Sequence, residues 1–481
     1  MSSDKTVFLL RSAEQNRCRG RPSIDSHNMA LLIKRPGTAR RLPLPPFVRK
    51  GRKEIRTLFA IRKSLLQLMF SGSYMRRWND KLRPVELYEI DKQAHKMIVA
   101  WMLTLLNSGG YSASDQLKLQ QEVIERGLFD YLYRLVTTDI KPPVFYRICE
   151  NEKDYKELTE WVLKELRPVL GAPDEGFWER LSAYHRNRDR TSLPDRILTA
   201  AHHYASGWEY NVIKPFNTFD EENQSIAESF TERLDSLTDL CGVNELIQGH
   251  AFFSDSPTAL GRFAKLCGQL RFQIRWADTP RVPETSVLGH MFLVAGYAYF
   301  FSLSLGACPA RRVNNFFAGL FHDLPELLTR DIITPVKRSV NQLPSLLRAY
   351  ELQELERRVF GPLAAGGHDR LVERLRYYLG LVGEGVTSEF DETIRDSSGQ
   401  VRCLGSFDAL HANGNEDGLD PKDGTLLKVC DNLAAFIEAH SSVRTGISSP
   451  NLHEAIARIR GDFRHRSLGP LSLGTIIADF D

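Results

Sequence analysis

The sequence predicts an all-α fold, and three observations carry that prediction. From residue 54 onward helical spacing dominates, and apolar residues recur three and four apart in segments 86–107, 156–168, 195–213, 226–240, 257–274, 286–306, 311–322, 344–360, 371–381, 424–441 and 451–464. Alternating, strand-type runs are scarce. The apolar fraction of 42% and the charged fraction of 26% are those of a globular chain, and 481 residues are ample for a large core.

The chain opens with a different composition. Residues 1–53 are rich in Arg, Pro and Ser, carry PLPP at 43–46 and show no periodicity. They hold 13 Lys/Arg against 3 Asp/Glu, whereas the whole chain has a net charge of only +3. This reads as a basic, disordered arm. Its plain role is a solvated tail; its sharper role is weak contact with nucleic acid or a membrane surface. The modest net charge argues against a protein that coats nucleic acid. No signal-peptide layout is present, since Asp4 and Lys5 precede only the short run Val7 to Leu10.

The seven cysteines, at 18, 149, 241, 267, 308, 403 and 430, form no CxxC pair and are odd in number. They give neither a disulfide scaffold nor a zinc ribbon, and a reducing cytoplasm fits them best. Residues 291–308 (MFLVAGYAYFFSLSLGAC) run 18 residues without a charge. That length is borderline for a bilayer. Gly296, two Tyr and two Ser favour a buried helix instead, and no membrane partner is expected.

An internal repeat organises the rest. RWNDKLRPVELYEIDKQAH (77–95) parallels RWADTPRVPETSVLGH (275–290), and TTDIKPPV (137–144) parallels TRDIITPV (329–336). His95 then pairs with His290, and Asp195 less securely with Asp431. The expected layout is an arm over 1–53, a first helical repeat over 54–215, connecting helices over 216–254, a second repeat over 255–445, and a C-terminal helix and tail over 446–481. The second repeat carries a loop-rich insertion at 361–424, with GPLAAGG, NGNEDGLDPKDG and a short hairpin around Gln400–Leu404.

Chemistry-bearing residues concentrate in the second repeat. FFAGLFHDLPELLTRDIITPVK sets His322 and Asp323 in an apolar segment, His290 heads an apolar helix, and Asp431 lies among Leu427, Val429, Cys430, Leu433 and Ala434. A buried carboxylate needs a partner or a cation. Two His and two Asp from three helices suit a six-coordinate divalent metal that keeps positions for water and substrate. Asp408 competes with Asp431 as fourth ligand, but lies in the insertion. His368, His411 and His440 have spacings that support no second metal.

The order H…HD…D, with Arg275-Trp276 upstream, HDLPE at 322–326, TRDIITPVK at 329–337 and KVCD at 428–431, resembles the HD-domain metal-dependent phosphohydrolases, and within them the 5′-deoxyribonucleotidase branch. The resemblance covers about 265–440. It implies two tandem HD-like bundles, the second intact and the first degenerate. It implies one divalent metal (Mn, Co, Mg, Fe, Ni or Zn) on His290, His322, Asp323 and Asp431. Glu326 would position water or pass a proton. Asp331 would anchor substrate, Arg275 would grip phosphate, and Trp276 would pack near the sugar. Lys337 would add a second positive charge. Pro325 cannot donate a backbone bond, so the helix is expected to kink or restart before Glu326.

The implied activity is release of phosphate from (deoxy)nucleoside 5′-monophosphates. The alternatives are a triphosphohydrolase, a phosphodiesterase, a nuclease, or a non-catalytic nucleotide-sensing or nucleic-acid-associated regulator. In the first repeat, Asp130, Tyr131 and Arg134 stand where His322, Asp323 and Glu326 stand in the second, so no catalytic metal is expected there. That half is expected to serve as scaffold, making the chain a monomeric pseudo-dimer or a homodimer. A pocket using Arg76, Arg77, Trp78, Lys92 and His95 is its alternative role.

Overall fold

Eighteen residues without a charge, Val287–Ser304, form the helix at the centre of the fold, and every one of them is buried. Ser286 starts it by accepting the Gly289 N–H at 2.9 Å, which satisfies an otherwise orphaned donor. Among the described residues it is the helix long and apolar enough to cross a membrane, yet its whole surface is covered by protein. Each fully buried Leu or Phe along it contributes about 1.5–3 kcal/mol.

The computed structural model describes residues 61–219, 221–248, 257–330 and 342–481. These belong to one unit, Thr57–Asp481. The expected arm at 1–53, Asp331 and Lys337 lie outside the described residues.

The architecture is all-α, as the periodicity predicts. Pro309–Phe321 packs along the central helix, and Gly319 permits it: a Cβ there would stand 2.9 Å from the Ala295 backbone. A second central helix, Glu89–Leu106, meets the first at their N-terminal ends, where Ser286 donates to Asp91 at 2.5 Å. Leu193–Ile213 packs against this second helix, and Gly424–Arg444 against the first. Ala113–Thr137, the 25-residue helix that the periodicity does not single out, carries a polar, solvent-facing side and a buried side with Leu128, Tyr131 and Leu132. Shorter helices also escape it, among them Lys63–Ser71, Pro142–Glu150 and Phe177–Arg186.

Strand is confined, among the described residues, to two small antiparallel hairpins. One pairs Thr393–Arg395 with Val401–Cys403, where the sequence suggests a short hairpin around Gln400–Leu404. The insertion around it is anchored to the core: Asp369–Tyr378 lays Tyr378 parallel to Phe321, with ring centroids 6.3 Å apart.

Candidate metal centre

Three helix ends bring the expected ligands together. His290 sits one turn into the central helix and is fully buried. His322 caps Pro309–Phe321, after which the chain turns through Asp323 and Pro325 and restarts as the short helix Glu326–Thr329. This is the restart that Pro325 predicts. Asp431 lies two turns into Gly424–Arg444, a helix that Asp423 starts by accepting the Leu426 N–H at 3.0 Å.

The distances are those of a ligand cluster. His290 Nε2 is 3.7 Å from Asp323 Oδ2 and 3.1 Å from Asp431 Oδ1. His322 Nε2 is 3.2 Å from Asp323 Oδ2. His290, His322 and Asp323 form the group of metal-holding geometry found among the described residues. Asp408 is exposed on the helix Phe407–Asn413. His368 pairs with Glu245, His411 with Arg311, and His440 with the Phe480 carbonyl. None of these three joins the cluster.

The surroundings fit a divalent ion. His322 Nδ1 donates to the Gly319 carbonyl at 2.8 Å, and His290 Nδ1 faces Glu438 Oε1 at 3.3 Å. His322 Nδ1 is thereby held outward with its Nε2 in the cluster, and His290 likewise points Nε2 at Asp323 and Asp431, the atoms a metal requires. Two imidazole nitrogens and two carboxylates suit an octahedral ion with positions left for water and substrate. Burial would push the His322 imidazole down, but Asp323, with help from Asp431, outweighs it and raises it to about 9. A proton there occupies the place that a cation would take.

Glu438 is the residue sequence reasoning missed. It is fully buried, seven residues after Asp431 and hence on the same helix face. Besides facing His290, it accepts the Trp276 indole N–H at 2.8 Å and lies 3.4 Å from Arg275 Nε. Trp276 has φ 58°, a costly conformation for a non-glycine residue. The indole bond, with the Thr279 N–H donating to the Trp276 carbonyl at 2.8 Å, holds it there. The other end of Arg275 lies 3.4 Å from Asp323 Oδ2. Lys428 Nζ binds Asp431 at 2.8 Å and stands over the Phe390 ring, so the insertion supplies a wall of the site.

Several local contacts in the N-terminal half parallel those around the cluster. Arg77 N–H donates to Leu87 O at 2.8 Å as Arg275 N–H does to Thr285 O at 2.9 Å, and Arg76↔Tyr88 bridges as Ile274↔Ser286 does. Counting onward, Lys92 and not His95 stands at the place of His290. His95 instead faces the Ala264 carbonyl and Arg271. Glu209 contacts Arg77 Nε at 2.7 Å and Trp78 Nε1 at 3.1 Å, the pattern of Glu438. Counting back seven residues puts His202, not Asp195, at the place of Asp431. Asp195 is held at the other end of its helix by Arg126 and Ser192. Thr138 and Arg330 share a positive φ and an N–H bond to the residue four back, which sets Asp130, Tyr131 and Arg134 opposite His322, Asp323 and Glu326.

No curated protein and no solved structure matches the chain significantly. Residues 267–460, which contain every element of the cluster, match the family model described as HD domain, and this supports an HD-domain protein of the metal-dependent phosphohydrolase class.

Proposed function

We propose that the chain hydrolyses a nucleotide phosphate ester, releasing phosphate from a (deoxy)nucleoside 5′-monophosphate, with His290, His322, Asp323 and Asp431 holding one divalent metal. The observation that carries this is the convergence of both Nε2 atoms on Asp323, with Asp431 3.1 Å from His290 Nε2 and the Arg275 guanidinium 3.4 Å from Asp323. A bound divalent ion would acidify a water and offset negative charge on the phosphate.

The chain's own residues do the remainder. Arg275 offers a forked, permanently charged donor set to the phosphate oxygens. Glu438 fixes that fork and the His290 ring at once. Glu326, at the start of its new helix, moves the proton between water and leaving oxygen. Trp276, pinned at its indole N–H, presents its ring to the sugar. Asp331 and Lys337, which lie outside the described residues, are given a substrate-binding role by the resemblance alone. The first half we read as a degenerate copy that covers the second, so that one chain does the work of a dimer in the cytoplasm.

The test is a nucleotide panel with Mn²⁺, Co²⁺ or Mg²⁺. Phosphate release from monophosphates, abolished in His322→Ala, is expected. Triphosphate or cleaved strands as product would move the reading to a triphosphohydrolase or nuclease. No release at all, with His322→Ala equal to wild type, would contradict it.

A further inference from the structure

In the N-terminal half, ammonium and guanidinium groups gather at the positions that parallel the metal cluster, and three of them share one carboxylate. One carboxylate, Glu89, serves three cations: Arg77 NH1 at 2.7 Å, Lys92 Nζ at 3.4 Å and Arg134 Nε at 3.5 Å. A fourth, Lys96, binds Asp130 at 2.7 Å. The Lys92 and Lys96 side chains are only 5% and 3% exposed. An ammonium has three protons to give, and the carboxylate contact of Lys92 is a single long one. Glu209 is already committed to Arg77 and, at 2.7 Å, to Arg271. Arg134 is 26% exposed and opens the cluster to solvent, with Asp139 on its outer nitrogen at 3.0 Å.

We infer that this cluster is an anion site, in which Lys92, Lys96, Arg77 and Arg134 bind a phosphate dianion separate from the metal centre. Three cations converging on one carboxylate, with Lys92 held by a single long contact, favour a multiply charged oxyanion. The arginine forks and ammonium points together match its several oxygens. His202, at the place of Asp431, brings a neutral imidazole in place of a carboxylate: burial, then the charges of Lys92, His203, Lys96 and Arg77, hold it well below its usual range. The half that parallels the metal cluster thereby exchanges a cation site for an anion site. His95 and Arg76 take no part, since His95 is held by Ala264 and Arg271 and Arg76 pairs outward with Glu86.

Phosphate free in solution and the phosphoryl group of a nucleotide share this chemistry. The test is calorimetric titration of inorganic phosphate, and separately of AMP, into the full chain in an amine buffer containing EDTA. Without metal the C-terminal cluster is silenced, so the result is independent of the hydrolase reading. Saturable binding is expected, weakened roughly tenfold or more in Lys92→Met and in the more exposed Arg134→Met, and unchanged in Arg357→Met, a surface arginine paired with Glu354. Tighter AMP than phosphate assigns the nucleotide; equal or weaker AMP assigns free phosphate. The inference is overturned by no saturable binding to wild type, by wild-type affinity in Arg134→Met, or by loss only in Arg275→Met. Should Lys92→Met fail to fold, Lys96→Met replaces it.

Discussion

Glu438 Oε1 lies 3.3 Å from His290 Nδ1, and neither side chain is exposed. A buried carboxylate behind a ligating histidine fixes the ring and raises its basicity, and loss of such a partner typically costs 10–100-fold in metal affinity. Glu438→Gln is therefore expected to weaken divalent-ion binding about 10–100-fold while the helical circular dichroism stays unchanged. Titration with Mn²⁺ measures it, and wild-type affinity would refute the positioning role.

Arg275 gives the complementary case. It stands beside Asp323 without occupying a ligand position. Arg275→Met should lower phosphate release by about 10²-fold, the scale of losing one positioned charge stabiliser. It should leave metal affinity equal or higher, because a neighbouring positive charge is gone. Parallel loss of metal binding would instead make Arg275 a structural support.

The contact of Gly319 with the Ala295 backbone sets the spacing of the helices that carry His290 and His322. Gly319→Ala forces them apart and is expected to cost about 1–3 kcal/mol, the range for overpacked cores. Chemical denaturation checks this, with a drop in metal affinity as a second readout.

Stability should depend on pH through the N-terminal charge cluster. Burial would raise Glu89, but Lys92, Arg77 and Arg134 outweigh it and hold it well below the carboxylate range. Its unfolded form takes up a proton first, so its contribution is complete at neutral pH and fades as pH falls below the ordinary carboxylate value. Lys92 acts at the other end. Burial, only partly opposed by Glu89, brings it down to about 8 from 10.5. The unfolded chain then holds more protons between those values, and this term makes stability rise with pH across that window. Glu89→Gln, which strands three cations, should destabilise by about 3–5 kcal/mol at neutral pH and flatten the acid limb. Urea melts from pH 3 to 10 in phosphate-free buffer, an experimental range chosen to span both groups, decide it.

The sequence made the all-α class and the grouping of His290, His322 and Asp323 legible for physical reasons. A helix with one buried face must repeat apolar residues at three and four, and a carboxylate or imidazole in an apolar segment needs a partner. Glu438 escaped because it follows the well-marked Asp431 by two turns and looks like one polar residue in IEAH. Its seven-residue offset, which puts it on the same face, was the available signal. Lys92 is named as a pocket residue, but its place opposite His290 escaped because residue identity drew the alignment to His95, although equal fifteen-residue spacing from Arg77 and from Arg275 points to Lys92 and His290. Ala113–Thr137 was obscured by its many polar residues, which hide a narrow buried stripe.

The central claim is that four side chains hold one ion, and counting that ion tests it most directly. Equilibrium binding of Mn²⁺ to the purified chain should reach one ion per chain and disappear in both His322→Ala and Asp431→Ala. Two ions, none, or a single ion that survives both substitutions would contradict the account.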